Sequence, residues 1–287
     1  MKSPFPALES HFKDGDRPVI MGILNVTPDS FSDGGDYYNR DEAIKQGFYM
    51  VNQGADIIDI GGESTRPGAA RISAEDQISR IVPVIKGLSR IIPEHILISV
   101  DTTLTSVLEA AIAAGAGMIN DVSAGEDDQG IFQLAAERQI PLVLMHKQGT
   151  PESMQDNPAY ENAIEDIRSY LLGRADLALK AGNKKENLIL DPGFGFGKKL
   201  PHNLQILSRL DRLVDTGIDI MIGASRKTFL SNITSIASRK ELIGATCATT
   251  VIGVLAGVRY FRVHDVKENR QAADVAYATL KQLATSN

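Results

Sequence analysis

One short stretch of the chain carries a carboxylate, three glycines and two phenylalanines: Asp191-Pro192-Gly193-Phe194-Gly195-Phe196-Gly197-Lys198. The apolar run before it, Leu188-Ile189-Leu190, reads as a buried strand. Asp191 therefore stands at a strand's C-terminal end, where an ionised carboxylate can accept paired N–H donors from a ligand. The glycines let the backbone turn sharply beside it. Phe194 and Phe196 can wall an aromatic substrate. The same residues also fit a plain turn in which Asp191 caps the next element. This stretch alone leaves both readings open.

Polar residues end the other apolar runs as well. They are Asn25, Asp59, Asp101, Asn120-Asp121, His146, Ser225-Arg226-Lys227 and Arg262-Val263-His264. Helix caps account for Ser, Asn and Asp. They do not account for His146, Arg226, Lys227, Arg262 or His264, so a ligand site is the better reading of the set. Asp101, Asn120 and Asp191 are small acceptors suited to a flat heterocycle rich in N–H and C=O edges. Lys227 can donate to a ring carbonyl or ring nitrogen. Arg66, Arg262 and His264 form a cationic group, and guanidinium groups bind phosphate oxygens through paired charge-assisted bonds. Asn25 offers an oxygen suited to Mg²⁺, an ion that takes few protein ligands and shares the rest with phosphate and water. His146 and His264 have no partner at zinc-ligand spacing.

The elements that must position these groups are short and regular. Eight apolar runs recur: Val19–Leu24, Asp56–Ile60, Ile96–Val100, Gly117–Ile119, Pro141–Met145, Leu188–Leu190, Asp219–Ile222 and Val258–Val263. Near-continuous apolarity suits strands buried on both faces of a parallel sheet. Helical periods lie between them. Ile78, Ile81, Val82, Ile85 and Leu88 form one stripe, with Ser73 and Asp76 in capping-box-like spacing ahead of it. Val107, Leu108, Ala111 and Ile112 form another, before a C-capping Gly115. Strand followed by helix, eight times over, predicts a (β/α)₈ TIM barrel, whose chemistry lies at the C-terminal ends of the strands. The alternative is an open doubly wound sheet, but no run is followed by its G-x-G-x-x-G fingerprint.

Bulk properties bound the function. The chain has 287 residues and a net charge of −6, with no basic stripe to suggest nucleic acid. A single cysteine, Cys247, excludes an internal disulfide and fits a reducing, cytoplasmic setting. It lies in an apolar helical context that suits packing. Met1 to Asp16 has no continuous apolar core, which reads against a secretory leader. The longest apolar stretch, Val251 to Val258, is too short to span a bilayer. The expected organisation is one barrel domain over 1–287 with an N-terminal arm at about 1–17.

Asn25-Val26-Thr27-Pro28-Asp29-Ser30-Phe31-Ser32-Asp33-Gly34-Gly35 resembles the first signature of the dihydropteroate synthases. Gly61-Gly62-Glu63-Ser64-Thr65-Arg66-Pro67-Gly68 resembles the second, and the clusters at 120–121, 191–196, 223–227 and 262–264 continue the match in order. The resemblance implies a (β/α)₈ homodimer that joins 7,8-dihydropterin-6-ylmethyl diphosphate to 4-aminobenzoate with loss of pyrophosphate. It implies a pterin pocket of Asp101, Asn120, Asp191 and Lys227, and Mg²⁺ on Asn25. It implies diphosphate contacts from Thr65, Arg66, Arg262 and His264. Phe31, Pro67, Phe194, Ser225 and Arg226 match the surroundings of aminobenzoate. Asp33 and Arg66, on loops that match mobile flaps, join Asp101 and Lys227 as the implied catalytic residues. One departure is Lys147, where many relatives of this kind carry an apolar Met.

The residue chemistry agrees with that reaction. A C–O bond to diphosphate must break, which cationic side chains and Mg²⁺ assist. The methylene carbon then turns cationic, and Asp101 can stabilise it. An aniline nitrogen is already nucleophilic. Two other readings share the pterin pocket: a folate-to-corrinoid methyltransferase barrel, and a non-catalytic pterin-binding module. The apolar helix around Ala245–Ala256 is a candidate dimer surface.

Overall fold

The computed structural model describes residues 17–27, 35–63, 71–149, 154 and 158–285, with backbone alone at 35–39 and 284–285. Of the expected N-terminal arm, only Arg17 falls among the described residues; it pairs with Asp56 at the foot of the barrel.

Eight parallel strands close a barrel in chain order. They are β1 Val19–Asn25, β2 Ile57–Gly61, β3 Leu97–Asp101, β4 Met118–Asp121, β5 Leu142–Met145, β6 Leu188–Asp191, β7 Asp219–Ile222 and β8 Tyr260–Val263. The (β/α)₈ expectation holds. Helices α1 Gly35–Asn52, α2 Ala74–Leu88, α3 Thr105–Ala113, α4 Gly130–Arg138 and α5 Ala163–Lys180 cover the first half. Then come α6 Leu200–Ser208, α7 Asp211–Val214, α8 Thr228–Thr234, α9 Ile243–Leu255 and α10 Val266–Thr285. Among the described residues, no helix is long and apolar enough to cross a membrane.

The two-residue period of the strands divides the apolar side chains into two cores. Ile20, Ile58, Ile60, Leu142, Leu144, Leu188, Leu190, Ile220 and Phe261 face outward, into the large core beneath the helices. Met21, Ile57, Met118, Val143, Ile189 and Met221 face inward and form a separate plug inside the barrel. Two positions further along β2, β4 and β6 the inward residue turns polar, as Asp59, Asn120 and Asp191. Ile23 is paired with Asp59, Gly61 with Asp101, Asp101 with Asn120, and Met145 with Asp191. Register alone thus carries the strand ends to one mouth, above an apolar floor.

The helix signals act as their sequence suggests. Ser73 caps α2, its hydroxyl accepting from the Asp76 N–H at 3.1 Å. The buried stripe runs through Ile81, Val84, Ile85 and Leu88, while Ile78 and Val82 are only partly buried at its edge. On α3, Val107, Leu108 and Ala111 are buried, and Gly115 follows with φ +116°.

Candidate active site

Asp101, Asn120, Asp191, Lys227 and Arg262 meet at the C-terminal mouth of the barrel. Four of them (Asn120, Asp191, Lys227 and Arg262) line one pocket at the mouth, together with Val122, Met145, Gly193, Phe194, Phe196 and Gly223. Asp101 enters through Arg262, whose Nη2 donates to its Oδ2 at 2.7 Å. The same guanidinium donates from Nε to Asp59 Oδ2 at 2.6 Å, and Asn120 Nδ2 donates to that oxygen at 3.0 Å. Asp59 is 0% exposed, and its other oxygen is buried with no hydrogen-bond partner among the described residues.

Asn120 and Asp121 divide their work by strand alternation. Asn120 points into the mouth. Asp121 accepts from the backbone N–H of Ser123 and of Gly125, and from the Ser123 hydroxyl, so it builds the loop after β4. Asp191 spends one oxygen on its own loop, accepting from Gly193 N at 2.7 Å. Its Oδ2 lies 3.8 Å from where a Cβ would stand on Gly223, so the glycine leaves that oxygen open space.

The glycine loop after β6 is forced rather than merely permitted. Gly193 has φ +67°, and a Cβ there would lie 2.0 Å from the carbonyl oxygen of His146. Gly197 has φ +65°, and its Cβ would lie 2.4 Å from the carbonyl of Gln148. The loop therefore packs backbone to backbone against the end of β5, as only glycine allows. This contact separates the two phenylalanines. Phe194 is fully buried and stacks on Phe229 with ring centroids 5.6 Å apart, so its ring is a wall fixed from behind. Phe196 is half-buried and carries the Lys227 ammonium 4.1 Å from its ring centroid.

Burial sets the charge state of the mouth. It pushes Asp101 up to about 7, Arg262 opposing and Asp59 reinforcing the rise. The guanidinium at 2.7 Å favours the ionised carboxylate, so its withdrawal would raise Asp101 further. Burial also raises Asp191 to about 6, against the Gly193 amide, Lys227, Arg262 and Lys198. Burial and Arg262 lower Lys227 to about 8, against Asp191 and Asp101.

A second sector lies beside the first. The Ser225 hydroxyl is 3.0 Å from His264 Nδ1 and accepts from the His264 backbone N–H at 3.2 Å. Arg226 has φ +57°, uncommon outside glycine, and its guanidinium is held by Asp265. Asn25 ends β1 opposite Gly61. Its Oδ1 and Asp101 Oδ2 both lie within 3.8 Å of the point where a Gly61 Cβ would stand. Phe31, Asp33, Thr65, Arg66 and Pro67 lie outside the described residues. Lys147 reaches Asp127 Oδ1 at 3.2 Å, and Arg71 reaches Asp127 Oδ2 at 2.7 Å. The loops after β2, β4 and β5 are thereby tied together.

Residues 21–264 match the family model described as "Pterin binding enzyme". The chain is 41% identical to the dihydropteroate synthase of Escherichia coli (strain K12) over 93% of both sequences. The chain belongs to the dihydropteroate synthase family. Family structures superpose closely. That of the Yersinia pestis dihydropteroate synthase, solved with a sulfonamide drug complex, gives a TM-score of 0.86 at 40% identity, covering 92% of this chain and 95% of that one. The Xanthomonas albilineans dihydropteroate synthase, solved with 4-aminobenzoic acid, also gives 0.86 at 40% identity, covering 92% and 93%.

Two features of this synthase-family site were not read from the sequence: the partner that Asp59 takes and the burial of Lys198. Asp59 ends up bonded to Arg262, 203 positions away in sequence. Its only sequence signal was a carboxylate inside an otherwise apolar run. Lys198 closes the glycine stretch and looks like a solvated surface lysine, yet it is 3% exposed.

Proposed function

We propose that the chain condenses 7,8-dihydropterin-6-ylmethyl diphosphate with 4-aminobenzoate, giving 7,8-dihydropteroate and pyrophosphate in folate biosynthesis. The observation that carries this reading is the meeting of Asp191, Asn120 and Lys227 around one cavity, with Asp101 held at its edge, in a member of the synthase family. Likeness to synthases over 93% of the chain favours condensation over the methyl-transfer and non-catalytic alternatives.

In this reading the pterin edge lies along β6 and β4. Asp191 Oδ2 accepts from the exocyclic amine and the neighbouring ring N–H, and Asn120 contacts the next edge atoms. Lys227, held over Phe196, donates to a ring carbonyl or nitrogen. Methionine and phenylalanine side chains wall the ring faces. The C–O bond breaks with its electron pair leaving on diphosphate, and the amine nitrogen forms the new bond to the methylene carbon and then releases one N–H proton to solvent. Asp101 stabilises the positive charge that grows there. Arg262 and His264, with Thr65 and Arg66 of the second signature, take the charge of the departing diphosphate. Ser225, Arg226, Phe31 and Pro67 surround aminobenzoate, and Asp33 acts from the first loop.

Asn25 would hold Mg²⁺. Its amide oxygen and the Asp101 carboxylate face one space above Gly61, a hard-oxygen pair suited to an ion that keeps most of its shell for substrate and water. Bound there, the ion supplies neutralising charge to the leaving group. A homodimer and a cytoplasmic location complete the proposal. The dimer is supported by α9, which leaves Ile252 exposed on an apolar helix, and sedimentation would test it.

The decisive experiment mixes purified protein with Mg²⁺ and pterin diphosphate, with and without 4-aminobenzoate. Pyrophosphate and dihydropteroate should appear together and only with aminobenzoate. Pyrophosphate release independent of the amine would sink the reading.

A further inference from the structure

Lys198 is one of the most deeply buried cations in the molecule, and the reaction as described makes no use of it. Its ammonium lies 2.9 Å from His146 Nδ1, 3.3 Å from the His146 carbonyl oxygen and 2.9 Å from the Phe196 carbonyl oxygen. It therefore bolts the glycine loop after β6 to the end of β5. An ammonium has three N–H donors, and three acceptors meet it here one for one. His146 suits the acceptor role. Burial and the Lys198 charge hold its ring well below the usual range, at about 3, so Nδ1 is unprotonated and the proton sits on Nε2. Tyr170 packs against the ring edge-on, with centroids 4.9 Å apart, and fixes its plane.

None of these partners is anionic. A buried ammonium on neutral acceptors is costly unless a nearby charge offsets it. The nearby charge is Asp191, which raises Lys198 while burial and Lys227 lower it, to about 7. The groups facing Asp191 come from every neighbouring strand. They are Lys198 from its own loop, Lys227 after β7 and Arg262 on β8, while His146 after β5 meets Asp191 through its backbone N–H alone. Across the mouth stand Asp59 on β2 and Asp101 on β3. Arg262, Lys227 and Lys198 thus offset Asp59, Asp101 and Asp191. Removing Lys198 takes away one of the cations that favour the ionised Asp191.

We infer that Lys198 is a positioning residue for the pterin. Its ammonium holds the loop that carries Phe196 under Lys227, and its charge keeps Asp191 a carboxylate able to accept two N–H groups. A neutral amine accepting from a His146 Nδ1–H would satisfy the same distances but would do only the first of these jobs. The inference rests on the pterin-condensing reading of the mouth and adds a residue to it.

The test is calorimetric titration of a 6-hydroxymethylpterin, which lacks the diphosphate arm, between pH 5 and 8. The proteins are the full-length chain, Lys198→Gln and Lys198→Met. Glutamine keeps a donor at the clamp and loses the charge, so it is the deciding variant. Both variants should bind the pterin at least tenfold more weakly at pH 6.5. The pH below which binding fades should rise, because Asp191 then keeps its proton longer. Added Mg²⁺-pyrophosphate should bind all three proteins alike. Failure of the unmodified protein to bind pterin at any pH would remove the reading on which this rests. Normal binding there, with unchanged affinity and pH limb in Lys198→Gln, would leave that reading intact and reduce Lys198 to a loop fastener. Loss of folding in both variants would likewise assign Lys198 to the framework and overturn the inference.

Discussion

Arg262 grips Asp59 and Asp101 at once, Nε to one carboxylate at 2.6 Å and Nη2 to the other at 2.7 Å. A leaving diphosphate must therefore compete with two protein carboxylates for this guanidinium. The expectation of a phosphate-binding Arg262 acquires a condition: the side chain has to be drawn off its carboxylates, or share its outer edge with them. Lysine cannot reproduce the two-edged grip. Arg262→Lys should lower kcat even at saturating substrate, since charge grows on the leaving group in the transition state. Arg262→Met should also destabilise the barrel by about 3–5 kcal/mol, as expected when one partner of a buried pair is removed. Steady-state kinetics and urea unfolding check the two halves. A rise in KM alone would restrict Arg262 to ground-state binding.

Asp191 gives the site a pH dependence of definite sign. Its folded value is raised to about 6 by burial, above the usual carboxylate range. The folded protein therefore binds more protons than the unfolded chain between about pH 4 and 6. In the free protein this group should add stability as pH falls through that window and withdraw it as pH rises. Pterin affinity should run the other way, fading below about pH 6 as the acceptor is protonated. Asp191→Asn should cost roughly 10–100-fold in affinity, from the usual worth of charge-assisted bonds, and should flatten the profile. Affinity that is level from pH 5 to 8 in the unmodified protein would count against Asp191 as the pterin's partner.

Ser225 orients His264. One hydroxyl accepts from the histidine backbone N–H and meets Nδ1 at 3.0 Å, and with its proton turned to the ring Nδ1 is the acceptor. That arrangement leaves Nε2 protonated, ready to donate to a phosphate oxygen. Ser225→Ala should lower kcat by roughly tenfold, on the scale of about 1.4 kcal/mol per decade, with a loss of less than about 1.5 kcal/mol in stability. Stopped-flow detection of pyrophosphate would separate this step from product release.

Lys147, the departure from the resemblance noted in the sequence, holds its ammonium 3.2 Å from Asp127. Asp127 keeps Arg71 in any case. Replacing Lys147 with Met should therefore change stability by less than about 1 kcal/mol, within the range of part-exposed pairs. Asp127→Ala frees both cations and should cost more. Urea unfolding at low and high salt tests the ranking, and the gap between the two variants should narrow at high salt.

The barrel was legible because its strands are short apolar runs that end in polar residues, a pattern that local sequence displays in full. Asp101, Asn120, Asp191 and Lys227 could be gathered on that basis alone. Pairing across the barrel could not. Arg262 and Asp59 are brought together by closure of β8 onto β1 and β2, which no local period encodes. The fates of Phe194 and Phe196 were equally hidden. They are two residues apart in the same motif, but backbone contact at Gly193 and Gly197 sends one ring inward against Phe229 and leaves the other at the mouth. Lys198 was missed because lysine is seldom buried, and its burial depends on carbonyls that the loop presents only once folded.

The steric closeness at Gly193 and Gly197 has a consequence for inhibitor design. A Cβ at either position would collide with backbone, which cannot swing aside as a side chain can. A compound leaning on this loop's main chain would meet a surface that single substitutions cannot readily reshape without damaging the fold. A compound gripping Met145 or Phe196, which also line the cavity, would meet side chains that a population under selection can exchange. The main chain of the glycine loop is thus less free to change under a drug than the Met145 and Phe196 side chains beside it.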